Sequence, residues 1–349
     1  MKRLAFAIPG DLATATGGYA YDRRMIAELG KLGWTIDIIG LGENFPWASR
    51  ETLMAAEARL LMVPASRQIL VDGLALGVLP EAARRLREQH TLVVLVHHPL
   101  ALETGLSAAQ AKILQASERA ALMAAKHVIV TSDATAQQLA DSYGVPRDKI
   151  TVACPGTDPV MPAPGSQDGI VRILSVGAVV PRKGFDILLA ALAPLSDLPW
   201  RLTIAGDRNR DAATAARLEA DIARFKLGQR VSVLGAVSAQ QLADLYASSD
   251  MFALASRFEG YGMAYSEAIA YGLPVIGTRA GAIPEVVPSG AGILVAPDDI
   301  AAFAHALRTV VADAEVRRQL ASVARATAAG LPRWQDSAKI FSSALETVA

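Results

Sequence analysis

The chain has 349 residues, with 34 lysines and arginines against 34 aspartates and glutamates, and 52% of its residues are hydrophobic. That balance excludes a global field for nucleic acid or anionic lipid, so an anion would have to be met by a local cluster. The single cysteine, Cys154, leaves no internal disulfide and no zinc cluster, which suits a reducing, cytoplasmic setting. The opening MKRLAFAIPGDLATATGG has an apolar run broken by Pro9 and Gly10, too short for an export signal. No run approaches the ~18 apolar residues of a membrane span. Peripheral contact with the inner face of a membrane stays open.

In chain order, apolar runs alternate with helical patterns. Strands are expected near 3–8, 35–39, 69–72, 92–96, 127–131 and 150–153, then again near 171–176, 202–205, 231–234, 251–254, 274–277 and 292–295. Such alternation gives an α/β fold of parallel sheets covered by helices. Phe185, Leu188, Leu189, Leu192 and Leu195 form one helical stripe between the first two strands of the second half. The segment TDPVMPAPGSQDG, residues 157–169, carries three prolines and two glycines and no apolar period, so it reads as a linker. The expected division is residues 1–158, a linker over 159–170, a second domain over 171–329, and a terminal helical segment over 330–349, with packing back on the first domain as one option. Ligands of open parallel sheets bind beyond the carboxyl ends of the strands, which points to a site between the two domains.

Chemistry concentrates at strand ends. Thr16, Gly17, Gly18 and Tyr19 close the loop after the first strand and open a helix with Met25, Leu29 and Leu32 on its apolar face. His97, His98 and Pro99 follow the strand 92–96, and Glu103 follows them on a loop. Adjacent residues at a strand end point apart, so the two histidines make poor joint metal ligands. Arg182 and Lys183 lie between the strand 171–176 and its helix, and Gly206 ends the strand 202–205. The stretch SRFEGYGMAYSEAIAYG, residues 256–272, places Glu259 before a Gly-Tyr-Gly step. A helix is expected from about Ala264 to Gly272, with Glu267 in its first turn. Free amides at a helix start, approached closely where glycine has no side chain, hold phosphates or sugar hydroxyls. Paired carboxylates accept from vicinal hydroxyls.

The pattern S-x-x-E-G-Y-G-x-x-x-x-E-A-x-x-x-G-x-P-V-I, followed by G-x-I-P-E-V-V, resembles the signature of retaining glycosyltransferase family 4, also called group 1, of GT-B fold. The likeness runs over nearly the whole chain and is strongest across residues 171–296. It implies two Rossmann-like domains facing across a cleft. It also implies sugar transfer from a UDP- or GDP-sugar to a hydroxyl of a glycan or lipid-linked glycan, with retention, without metal or cofactor, in glycan or polysaccharide biosynthesis. In its terms Glu259 meets the donor sugar and Glu267 the nucleotide ribose. Amides of Gly260, Tyr261, Gly262, Met263 and Ala264 meet the sugar and diphosphate, and Lys183 draws on the departing phosphate. Gly17, Gly18 and Gly206 complete the donor site. His97 is the catalytic candidate near the sugar, with His98 its alternative and, with Glu103, a candidate for the acceptor side. Ala178 stands where the family often has arginine, and Arg182 is the candidate substitute.

Other classes fit less well. A dehydrogenase or a phosphate-loop nucleotidase would need a Gly-x-Gly-x-x-Gly or a Gly-Lys-Ser/Thr element, and neither occurs. A two-lobed sugar-binding protein without catalysis is the alternative reading. It would use the same cleft but gives Lys183 no task.

Overall fold

The computed structural model describes residues 2–348. It divides into two compact units. Unit 1 runs up to Gly156 and is rejoined by the segment from Pro332 onward, and unit 2 spans Thr157–Leu331.

Unit 1 holds one sheet of β1 (Lys2–Ile8), β2 (Trp34–Gly40), β3 (Gln68–Asp72), β4 (Leu92–Val96), β5 (His127–Val130) and β6 (Ile150–Val152), in the order β2-β1-β3-β4-β5-β6. Every neighbouring pair is parallel. The central strands β3 and β4 are buried along their whole length, as a sheet covered on both faces requires. Their apolar runs therefore do not alternate. Unit 2 repeats the scheme with β7 (Val171–Val176), β8 (Trp200–Ala205), β9 (Val231–Val233), β10 (Met251–Ala253), β11 (Val275–Thr278) and β12 (Gly292–Val295), ordered β12-β11-β10-β7-β8-β9. Each of the twelve expected strands is present to within two residues. The stripe from Phe185 to Leu195 is also found. Phe185–Leu192 is an α-helix, a 3-10 turn follows, and all five apolar side chains are at most 2% exposed.

The proline-rich segment 157–169 contains no helix or strand, yet it is fixed along unit 2. Ala163 donates its N–H to the Tyr271 carbonyl at 2.8 Å, and Ser166 donates to Asp250 Oδ1 at 2.6 Å. The chain returns to unit 1 at Pro332 and ends in the helix Trp334–Thr347. Phe341 and Leu345 of that helix are fully buried, Trp34 Nε1 donates to Ser342 Oγ at 2.9 Å, and Gln68 donates to the Leu345 carbonyl. Its first residue sits against Gly156, where a Cβ would come within 2.1 Å of the Trp334 nitrogen.

One buried acid shapes the loop after β4. Glu118, on the helix Ala108–Ala124, accepts the Leu100 N–H at 2.9 Å and anchors the turn that follows His97 and His98. Burial pushes its carboxyl up to about 8.

Two outcomes follow. Gly156→Ala should destabilise the protein by about 1–3 kcal/mol, because the clash is with backbone that cannot swing aside; a urea midpoint equal to wild type would contradict the close approach. For Glu118, the folded state retains a proton that the unfolded chain has lost between the ordinary glutamate range and about 8, so its contribution falls as pH rises through that window. Glu118→Gln should accordingly gain in thermal midpoint relative to wild type between pH 5 and pH 9, and a pH-independent difference would refute the buried-acid assignment.

Candidate active site

In unit 2 the site is built on the carboxyl ends of β7 and β10. After β10 the chain passes Ala255, Ser256 and Arg257 and reaches Glu259, which is only 6% exposed. A carboxylate so deeply placed needs charged and hydrogen-bonding partners. It has three: Lys183 Nζ lies 2.6 Å from Oε1, Ser256 Oγ donates to the same oxygen at 2.6 Å, and Arg182 Nη1 lies 3.2 Å from Oε2. Burial alone would raise its pKa, but the Lys183 and Arg182 charges and these hydrogen bonds outweigh it and hold the carboxyl down at about 2. Glu259 therefore stays ionised across the physiological range.

The two loops are also stitched together through backbone. Arg257 N–H donates to the Arg182 carbonyl at 2.8 Å, and Arg182 Nη1 donates to the Phe258 carbonyl at 2.8 Å. Arg257 itself binds both oxygens of Asp186 and reaches Asp298 at 2.8 Å. Gly206, at the end of β8, packs so closely on the β7 loop that a Cβ would lie 1.8 Å from the Gly177 carbonyl oxygen. Its position beside Lys183's loop thus has a packing reason.

Gly260, Tyr261 and Gly262 lead into the helix Met263–Ala270. Gly262 caps it at φ 99°, a left-handed conformation that suits glycine, and no side chain occupies the cap. The first amides of the helix, including those of Met263 and Ala264, thus lack intrahelical acceptors. Here the sequence expectation needs a correction. The helix starts at Met263, so Glu267 is its fifth residue and lies in the second turn, outside reach of the helix-terminal dipole. What holds Glu267 is Tyr246, whose hydroxyl donates to Oε2 at 2.9 Å. Burial dominates and pushes the Glu267 carboxyl up to about 7.

In unit 1 the loop after β1 ends at Thr16, whose Oγ1 accepts from Tyr19 N–H, and Gly17 and Gly18 are the first residues of the helix Gly17–Lys31. Gly18 lies against the His97 ring, since a Cβ there would meet Cδ2 at 3.5 Å. The structure thus joins Gly18 and His97, far apart in sequence. His97 Nε2 lies 3.2 Å from Asp22 Oδ1. His98 turns instead to Glu103, with 3.4 Å between Nε2 and Oε2, so the two acceptor-side candidates form a pair.

Sequence reasoning passed over Asp22, Asp72, Tyr246 and Ser256. Asp22 did leave a signal, because it shares the helical stripe of Met25 and Leu29 and so places a carboxylate on an apolar face. Tyr246 left none, since an aromatic on an inward helix face reads as core. Among the described residues, Asp22, Asp72 and His97 are the cluster whose ligand-type atoms all lie within 4.8 Å of one another, the spacing a metal ion would need.

The model for glycosyl transferases group 1 matches residues 160–327, and that for glycosyltransferase family 4 matches residues 72–160. The D-inositol 3-phosphate glycosyltransferase of Mycolicibacterium smegmatis is 30% identical over 254 residues, 68% of this chain and 56% of that protein. D-inositol 3-phosphate glycosyltransferase 1 of Catenulispora acidiphila is 29% identical over 74% of this chain and 66% of its own length. This chain thus spans between about half and two thirds of the curated relatives it matches. In fold, it aligns over its full length with sucrose-phosphate synthase from Thermosynechococcus elongatus, covering 99% of that chain, at a TM-score of 0.84 and 22% identity. It also aligns over 98% of its length with Anabaena HepE in complex with UDP and glucose, covering 99% of that chain, at 0.77 and 20% identity. The sheets are those of the GT-B class, and the chain belongs to the group 1 glycosyltransferases.

Proposed function

We propose that the protein transfers a sugar from a nucleotide diphosphate sugar to an acceptor hydroxyl, with retention at the anomeric carbon and without a metal ion. The observation that carries this reading is the placement of Lys183 and Arg182 on the buried Glu259 carboxylate. Both cations are held on this one carboxylate, so their positions are fixed before a ligand arrives. Charge on a diphosphate leaving group grows as the glycosidic bond breaks. A fixed cation beside it therefore stabilises the transition state more than the bound donor.

Glu259 does not serve as a general acid, because a carboxyl held at about 2 has no proton to give near neutrality. Its work is to accept from sugar hydroxyls and to hold Lys183 in place. That argues against a hydrolase using Glu259 and Glu267 as an acid and base pair. Glu267, with Tyr246 fixing one of its oxygens, suits the vicinal hydroxyls of the nucleotide ribose. With the departing diphosphate oxygen taking the acceptor's proton on the same face, no enzymic nucleophile is needed.

UDP is the first donor base to test, since HepE is a structural neighbour in complex with UDP and with UDP-glucose; GDP is the second. The names of the sequence relatives point to a polyol or sugar hydroxyl near a phosphate as the acceptor, and a glycan or lipid-linked glycan offers the same group. None of the described helices is long and apolar enough to cross a membrane. A lipid-linked acceptor would thus be met by peripheral contact from the cytoplasmic side.

Calorimetry with UDP and GDP, followed by transfer assays from their sugars with and without EDTA, tests this function. Absence of binding by either nucleotide would favour a sugar-binding protein instead. Glu259→Ala should lower turnover by about a hundredfold or more, the scale of losing one fixed transition-state contact. Nucleotide affinity should hold or tighten in the same variant, because Lys183 and Arg182 are released from their carboxylate; near-normal turnover with lost binding would reverse the assignment. For Glu267, whose carboxyl titrates at about 7, UDP should bind more tightly at pH 8 than at pH 6, where the protonated acid accepts poorly. Glu267→Gln should weaken binding and flatten that dependence, and an unchanged pH profile would remove Glu267 from the nucleotide site.

A further inference from the structure

Two carboxylates beneath His97 have no part in the chemistry above. Asp22 is fully buried on the helix Gly17–Lys31. Its Oδ1 faces His97 Nε2 at 3.2 Å, and its Oδ2 is buried without a hydrogen-bond partner. Asp72, 3% exposed, closes β3 and caps the short turn after it by accepting the Leu74 N–H at 2.7 Å. The ring is confined from several sides. Tyr21 stands edge-on with ring centroids 5.5 Å apart, Gly18 lies against Cδ2, and Thr131 Oγ1 donates to the His97 carbonyl at 3.2 Å. The side chain is still 20% exposed, and Nδ1 has no hydrogen bond among the described residues.

Electrostatics decides what such an arrangement must hold. A buried carboxylate without a cation is very costly. Among the described residues, the His97 imidazole is the group paired with Asp22 that can become positive. Burial works against charging the ring, but the Asp22 charge, its hydrogen bond and the Asp72 charge prevail. Asp72 meanwhile is pushed up to about 6 by burial, so it remains largely ionised at neutral pH and adds to the field. Other titratable groups close by include Tyr21, which donates to the Ala153 carbonyl, Cys154, which acts on Tyr21, and the His98–Glu103 pair.

We infer that Asp22, backed by Asp72, is a positioning residue for His97: it accepts a hydrogen bond from Nε2–H, fixes the ring, and keeps it a cation that offers Nδ1–H to the anionic diphosphate of a nucleotide sugar. This role rests on the transferase reading only for the identity of the anion.

Histidine-labelled NMR reads the ring directly, whether or not the protein turns over. In the wild type the His97 ring should stay doubly protonated through pH 8, with a midpoint of about 9. Asp22→Asn should lower that midpoint by about two pH units, in line with losing an adjacent opposite charge, and Asp72→Asn by less. Asp22→Glu should restore most of it, and should stand in if Asp22→Asn fails to fold. In transfer assays at pH 8, Asp22→Asn should lower kcat about tenfold or more with little change in donor KM, the deficit shrinking at pH 6, where the ring is charged in either protein. Equal ring midpoints in wild type and Asp22→Asn would overturn the inference. So would Zn2+ or Mn2+ that broadens the His97 signals and raises activity, since the cluster would then be a metal site. Failure of every nucleotide sugar to react, with the titration as expected, would overturn the transferase reading while leaving Asp22's hold on the ring supported.

Discussion

The buried Glu259 carboxylate and the two cations on it tie together the loops that follow β7 and β10. Without Lys183 and Arg182, that carboxylate would have to take up a proton or come out to solvent. Without the carboxylate, two adjacent cations would repel one another at the end of the sheet. Each half makes the other tolerable. The backbone bonds between Arg257 and Arg182, and between Arg182 and Phe258, then fix the distance between the loops. Charge placed this way is preorganised, which is the property a site needs if it is to meet an anion without reorganising its dipoles.

Much of the fold was legible in the sequence. The strands were readable because both sheets are parallel and covered, so each strand appears as a short apolar run bounded by turn residues. The Glu259 to Glu267 stretch was readable because its glycines and acids match, position by position, the family signature it resembles. The partnership of Glu259 with Lys183 was not, since it depends on β7 and β10 being neighbours in the sheet, and strand order is a long-range property. Glu267 shows the limit from the other side. Its position was expected from the motif, but one residue's difference in where the helix starts moves it to the second turn. There the local field of the helix end gives way to burial and the Tyr246 hydroxyl.

Unit 1 was harder to read for a physical reason. Its charged cluster is assembled from the helix after β1, the end of β3 and the end of β4, three places separated by dozens of residues and carrying no shared motif. The sheet order β1-β3-β4 brings those ends side by side. Asp22 interrupts the apolar stripe of its helix, and a break in periodicity marks a residue retained against its burial cost. A buried polar residue at such a break merits as much attention as the motif beside it.

The two units solve the same electrostatic problem with opposite balances. In unit 2 the Glu259 carboxylate is met by Lys183 and Arg182, side chains that carry positive charge without help from a neighbour. In unit 1 two acids face a single titratable base, and the balance depends on whether that base holds its proton. Lysine or arginine in place of His97 would remove the dependence on pH. It would also require a longer side chain in a space bounded by Tyr21 and the Gly18 backbone, where a flat ring fits between an edge and a bare peptide. Histidine fills that space and still becomes a cation, provided carboxylates lie beneath it. The two buried aspartates are therefore what allows a small aromatic base to act as a fixed charge, and their burial cost is offset by the proton they hold in place.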